Sequence, residues 1–357
     1  MKIPPTVSII IVNYNAGELL FKTVSSIITC SYPKNKLEII LIDNASKDKS
    51  IQITLDKLQN KLNEIKKFTI IKNKYNKGWC SAINEGLKLA QGDIIIFSNH
   101  DVVYHKDSIH KIVSYFINNK NIGICQFFSF LPSGEPDVAA CYLDPLGYAY
   151  NFLSNNPVFV SFGEAVAIAV KKEVIEKIGA LDEDYFIEYE DQDFCWRALL
   201  AGYKILFCPE AIVYHYRGSV QKPIYFLREK RVMLYTKNHI ATLIKNLEIK
   251  NLLLYLPLVF TIEMGKAMYI LVYKRNLKLF IGILDGILAF LLNLRSLISK
   301  RQIVQTNVRK VSDKEVFNYF VPFMLRHQLN YLKYQEQGKR YLILDNSLLS
   351  KDINYRK

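Results

Sequence analysis

The sequence has no glycine-rich phosphate loop. Neither G-x-x-x-x-G-K-[ST] nor G-x-G-x-x-G occurs, which argues against a nucleotide hydrolase or a dinucleotide enzyme. It also lacks H-E-x-x-H, a G-x-S-x-G elbow and any Cys/His spacing suited to zinc. Glycine (15) and proline (11) are too scarce in 357 residues for a collagen-like or low-complexity chain, and 50% hydrophobic content excludes disorder. The six cysteines form no C-x-x-C pair, and Met1-Lys2-Ile3-Pro4 does not read as a secretory leader. Reduced thiols and a cytoplasmic location are therefore expected. No internal repeat is present.

What is there divides unevenly along the chain. Residues 1–215 carry 22 Lys and Arg against 24 Asp and Glu, a net −2, whereas residues 216–357 carry 25 against 9, a net +16. The basic half also holds the long apolar stretches. That pairing suits an anionic membrane surface better than a nucleic-acid groove, and no nucleic-acid motif appears.

From residue 7 to about 100, short β-branched runs alternate with amphipathic segments: Val7–Val12, Leu37–Ile42, Phe68–Ile71 and Asp93–Phe97 as strands, with helices over Glu18–Cys30, Asp48–Ile65 and Cys80–Ala90. Apolar runs without alternation, such as SIIIV and EIILI, predict parallel strands buried on both faces. Ligands of such sheets gather beyond the carboxyl ends of the strands. Polar clusters follow three of these strands, at Asn13-Tyr14-Asn15, at Asp43 to Asp48, and at Ser98-Asn99-His100-Asp101. Asn76-Lys77-Gly78 reads as the turn into the third helix.

Further on, a helix is predicted over Ser108–Asn118 and strands near Ile122–Phe130 and Val166–Val170. Residues 131–163 read as one long connection. A helix follows at Lys172–Ile178, another at Asp191–Ala201, then a strand pair, Lys204–Cys208 and Ala211–His215. Beyond Arg217 the period is helical, with helices near 222–247, 251–273, 277–299 and 314–336 and a frayed tail from about 338. Pro257, Glu263 and Lys266 interrupt one apolar helix and Asp285 another, so both are expected to lie in a membrane interface or a bundle rather than to span.

Three features can carry chemistry. Asp101 at a strand end can ligate a hard divalent cation that also meets phosphate oxygens, or simply form a turn. Glu188-Tyr189-Glu190-Asp191-Gln192-Asp193 opens a helix, where carboxylates favour the helix dipole but where crowding also raises one of them toward general-base duty. His215 ends a strand and is a second candidate metal ligand.

These residues resemble the family 2 glycosyltransferases, inverting enzymes with the GT-A fold, and among them the rhamnosyltransferase-like branch. The resemblance rests on Val7–Asn15, Glu38–Asp48, Asn76–Asp101, Gly179–Arg197 and Ala201–His215, which span roughly residues 1–220 in family order. It implies an α/β catalytic domain over 1–220 and a helical, basic region over 221–357. It further implies that Asn13 and Asp43, with Asn76, Gly78 and Asn99, hold a nucleoside-diphosphate sugar. Asp101 and His215 would hold Mg²⁺ or Mn²⁺, and Asp191, with Glu190 beside it, would be the base. Asn99 stands where the family's D-x-D motif has its first aspartate. The acceptor implied is a glycan or a polyprenyl- or dolichyl-linked sugar at the cytoplasmic membrane face. Two alternatives remain. One is an inactive sugar-nucleotide-binding module with Asn99-His100-Asp101 as its trace. The other is a sugar-1-phosphate nucleotidyltransferase, which would carry a Gly-rich loop where Val7–Leu20 has only Gly17.

Overall fold

A computed structural model describes residues 3–217, 229–336 and 341–344. Four parallel strands, β1 (Val7–Asn13), β2 (Leu37–Asp43), β3 (Lys67–Lys72) and β4 (Ile94–Asn99), lie in the order β3-β2-β1-β4. Their crossovers carry helices α1 (Leu19–Ile28), α2 (Ser50–Leu58) and α3 (Trp79–Leu87). Every residue of β1 and β2 is buried, as their unbroken apolar runs predict.

Past β4 the sheet becomes mixed. The remaining strands are β5 (Val102–Tyr104), β6 (Ile122–Phe130), β7 (Pro136–Val138), β8 (Ala140–Leu143), β9 (Ala149–Phe152), β10 (Val158–Val160), β11 (Ala167–Lys171) and β12 (Lys204–His215). Helices α4 (Ser108–Asn118), α5 (Lys172–Ile178) and α6 (Glu190–Leu200) stand among them. β11 runs antiparallel to β4 and β6, and β12 runs parallel to β6 and antiparallel to β5 and β10.

Two expectations are corrected here. The stretch 131–163 is not one loop but holds β7 to β10, and β8 and β9 form a separate hairpin. Its turn is built by Asp144, whose Oδ1 accepts from the Leu146 and Tyr148 amides and whose Oδ2 accepts from Tyr150 Oη. The predicted strand pair at 204–215 is a single strand, because Pro209 sits in a register shift between Cys208 and Ile212 and bends β12 instead of reversing it.

The C-terminal region is helical, with α7 (Glu229–Asn246), α8 (Ile249–Val272), α9 (Leu277–Leu292), α10 (Leu294–Ile303), α11 (Asp313–Val316) and α12 (Leu325–Glu336). The expected division at 220/221 and the start of the helix at 222 lie outside the described residues. The helix expected at 277–299 breaks at Asn293 into α9 and α10 with a bend of 65°. The one expected at 314–336 is interrupted around Pro322, where the Val321 amide donates instead to the Leu143 carbonyl of β8. Within the tail, Ile343 is buried and bridges β9 at Phe152.

α8 runs unbroken through Pro257 and is long and apolar enough to cross a membrane by length and composition. Its charges do not interrupt the apolar surface, because Glu263 turns inward to accept from Tyr148 Oη (2.9 Å) and Lys266 folds back onto Glu263 (2.8 Å). All six cysteines are buried and none forms a disulfide.

α7 and α9 approach closely at Gly282 and Gly286. A Cβ on Gly286 would lie 2.7 Å from both the Met233 carbonyl oxygen and the Thr236 side chain, whereas one on Gly265 would meet nothing within 4 Å. Gly286→Leu is accordingly expected to destabilise by about 1–3 kcal/mol, and Gly265→Ala to be neutral or slightly stabilising. Urea denaturation of the two variants checks the contrast.

Candidate active site

The carboxyl rim of the parallel strands gathers the predicted polar residues. Asn13 and Asp43 are register partners at the ends of β1 and β2, and Asn13 Nδ2 donates to Asp43 Oδ1 at 3.0 Å. Ser46 and Ser50 hydroxyls lie at the same distance from that nitrogen. Asn13 Oδ1 is buried without a hydrogen-bond partner, an orphan acceptor at a place where a ligand's N–H or O–H can satisfy it.

Asn76 and Gly78 reach the same rim, but the structure turns their polar groups into the loop itself. Asn76 Oδ1 accepts from the Gly78 amide and from Asn44 Nδ2, which also donates to the Gly78 carbonyl. Gly78 has φ +86°, and a Cβ there would lie 2.5 Å from the Phe186 ring. Asn99, at the end of β4, accepts from the Trp79 indole at 3.1 Å, so its oxygen holds an aromatic side chain.

Asp101 and His215 meet because β5 pairs with β12, setting His215 opposite Val102. His215 Nε2 lies 3.4 Å from Asp101 Oδ1, and Nδ1 donates to Asp137 Oδ2 at 2.8 Å. Asp137, which the sequence reading missed, is fully buried and also pairs with Arg217. Burial presses the His215 pKa down, but Asp101 and Asp137 outweigh it and raise it to about 9. One carboxylate and one imidazole whose far nitrogen is fixed by a second carboxylate fit a Mg²⁺ or Mn²⁺ ion completed by phosphate oxygens and water, provided that the ion displaces the proton that His215 Nε2 shares with Asp101. Among the described residues no group of three or more His, Cys, Asp or Glu side chains is placed to hold a metal unaided.

The acidic cluster resolves into different states. Glu188 pairs with Arg231 of α7. Burial would raise Asp193, but Lys245 and Arg197 outweigh it and hold its carboxyl below the ordinary range. Burial, then Glu164, lifts Asp191 to about 7, although Asp191 accepts from the Ala165 and Gln192 amides at 3.1 and 2.8 Å. Glu190 is raised well above the ordinary range by burial and by Asp191, and its Oε2 has no hydrogen-bond partner.

These carboxylates stand beside the β4 rim. Ala165 holds Asp191, and its neighbour Val166 accepts the Asn99 amide at 3.2 Å. Trp79 ties the same two places from the other side, its indole on Asn99 and its backbone amide on the Phe186 carbonyl. The turn before α6 is strained, with positive φ at Phe186, Glu188 and Tyr189. Asn238 of α7 secures it by donating to the carbonyls of Tyr185, Ile187 and Glu188 at 2.7–3.0 Å. Sequence reasoning missed Asn238; α7 is polar along much of its length, so the run Lys237-Asn238-His239 does not stand out in it.

A sheet whose parallel half is continued by mixed strands, with this polar rim, is the GT-A fold. The fold is shared with a mannosyltransferase from Pyrobaculum calidifontis, solved with GDP-Man and Mn²⁺ (TM-score 0.55, 15% identity, 81% of this chain and 88% of that one). It is shared as well with residues 1–349 of S. aureus TarS (TM-score 0.52, 18% identity, 88% and 89%). Residues 8–166 match the model of Glycosyl transferase family 2. Among curated proteins the chain is similar to the probable glycosyltransferase YdaM of Bacillus subtilis (24% identity, 62% of this chain, 53% of that protein). It is similar also to the O-antigen chain rhamnosyltransferase RfbN of Salmonella typhimurium (27%, 58% and 66%) and to the dTDP-rhamnosyl transferase RfbF of Shigella flexneri (25%, 78% and 94%). The chain thus spans about half the length of some curated relatives that it matches.

Asn238→Ala removes a buried donor shared by three carbonyls, and a loss of about 1–3 kcal/mol is expected. Chemical denaturation with far-UV circular dichroism measures it; an unchanged midpoint would show that the turn holds itself.

Proposed function

We propose that this chain transfers a sugar from a nucleoside-diphosphate sugar to a hydroxyl of a glycan or lipid-linked acceptor, with inversion, in polysaccharide synthesis. The observation that carries the reading is the short bridge Asp191–Ala165–Val166–Asn99. It sets a carboxylate with a raised pKa next to the strand end that bears Asp101.

Each residue then has a task. Asn13, with its orphan oxygen, and Asp43 receive the base and ribose, and the loop at Asn76 and Gly78 shapes that side of the rim. Asp101 and His215 would hold Mg²⁺ or Mn²⁺, with Asp137 fixing the imidazole. Such an ion would supply positive charge to offset the negative charge that grows on the diphosphate leaving group. Asp191 accepts the proton of the acceptor hydroxyl, whose oxygen attacks the anomeric carbon opposite the leaving group. One such displacement inverts that centre and needs no second carboxylate nucleophile. Glu190, raised by burial and by Asp191 beside it, binds its proton more tightly than an ordinary carboxylate. The likeness to RfbF over most of both chains supports dTDP-rhamnose as the first donor to try.

The test follows release of nucleoside diphosphate from dTDP-, UDP- and GDP-sugars with Mg²⁺ or Mn²⁺, with and without a lipid-linked acceptor. Asp191→Asn is expected to lower kcat by about 10²–10⁴-fold while leaving donor affinity unchanged, and Asp101→Ala to remove the metal dependence. No release from any donor, even with acceptor, would sink the reading. Because only the ionised Asp191 accepts a proton, kcat should climb as pH rises through about 7 and level off above it. A flat profile from pH 5.5 to 8.5, roughly 1.5 units either side of that pKa, would remove Asp191 from the role.

A further inference from the structure

The outer surface of the α8–α9 hairpin belongs to none of the machinery above. Along α8 every exposed residue from 251 to 273 is uncharged, and Leu253, Leu258, Met264 and Met268 are 38–70% exposed. α9 extends the patch through Ile281, Leu288 and Leu292. So much contiguous apolar surface on a folded body marks a docking face.

Its rim is basic. Lys250 stands at one end of α8, and Lys274, Arg275 and Lys278 crowd the hairpin tip at the other, all exposed. Tyr269 and Tyr273 stack on each other beside that tip, where amphipathic rings suit a membrane–water boundary. A second copy of this chain fits poorly. Two-fold packing of antiparallel hairpins brings Lys250 of each against the basic tip of the other. Anionic lipid headgroups complement the same charges.

The helix also shows how it would meet the bilayer. α8 is about 36 Å long, enough to span, but Leu252, Val259, Glu263 and Ala267 are buried against the body along its length. Glu263 is held among Tyr148, Lys266 and His239, so turning α8 across a membrane would carry a bound carboxylate into hydrocarbon.

We propose that the α8–α9 face lies in the plane of an anionic lipid bilayer, with its leucines and methionines in the acyl boundary and Lys250, Lys274, Arg275 and Lys278 on the headgroups. The hairpin docks without spanning. This assignment does not depend on sugar transfer, since it is read from surface chemistry alone.

The experiment is flotation of the full chain, at about 0.15 M salt, with phosphatidylcholine vesicles that do or do not contain one-third phosphatidylglycerol. The wild type is expected to float with the anionic vesicles and to be stripped from them by alkaline carbonate. Leu258→Glu/Met268→Glu and Lys274→Glu/Arg275→Glu should each weaken that partition at least about tenfold, with unchanged circular dichroism and thermal transition. Three results would overturn the proposal: no flotation of the wild type; carbonate-resistant binding, which would mean a spanning helix; or a concentration-dependent dimer that Leu258→Glu/Met268→Glu dissolves, which would make the face a contact between copies.

Discussion

Lys245 holds the two halves of this molecule together. Its ammonium is buried between Asp182 and Asp193, 2.7 and 2.9 Å away, and lies over the ring of Tyr185. Two of those partners lie in the segment that leads into the strained turn, and the third is on α6. A buried ion of this kind is costly to desolvate and tolerates no missing partner, so it fixes geometry more than it adds stability. α7 therefore sets where α6 begins, and with it where Glu190 and Asp191 point. The family match ends at residue 166, yet the carboxylates assigned to proton transfer, and the helix that supports them, lie beyond it.

Within six residues of α6 and its turn, identical chemistry takes opposite states. Glu188 pairs with Arg231 and Asp193 is held low by Lys245 and Arg197, while burial raises Glu190 and Asp191, with Asp191 adding to the first and Glu164 to the second. Arg231 and Lys245 of α7, both distant in sequence, make the difference together with Arg197 of α6 itself. Capping by the helix dipole, the plain reading of an acidic run at a helix start, would have treated all four alike.

The parallel half was legible because strands buried on both faces leave unbroken apolar runs, and Asn13, Asp43 and Asp101 follow such runs directly. Residues 131–163 were not, since strands of three or four residues carry too few positions to show a period, and Asp137 was hidden with them. The strand pair expected at 204–215 proved to be one strand because sequence does not show a bulge. Glu263 and Lys266 looked like breaks in an apolar helix because sequence counts charges without saying which side they face. Asn99 matched the family's metal motif by position, but in the fold its oxygen holds the Trp79 indole.

The inward-facing cations alter the meaning of the C-terminal charge. Lys300 binds Asp182 and Asp184, Arg301 binds the carbonyls that end α7, and Arg309 binds Asp313. Like Lys245, Lys300 and Arg309 are counterions to acids of this same chain, which lowers their share in the outward field. The net +16 counted over residues 216–357 therefore overstates the outward field of that region, because Lys245 and Lys300 offset Asp182, Asp184 and Asp193 of the first half.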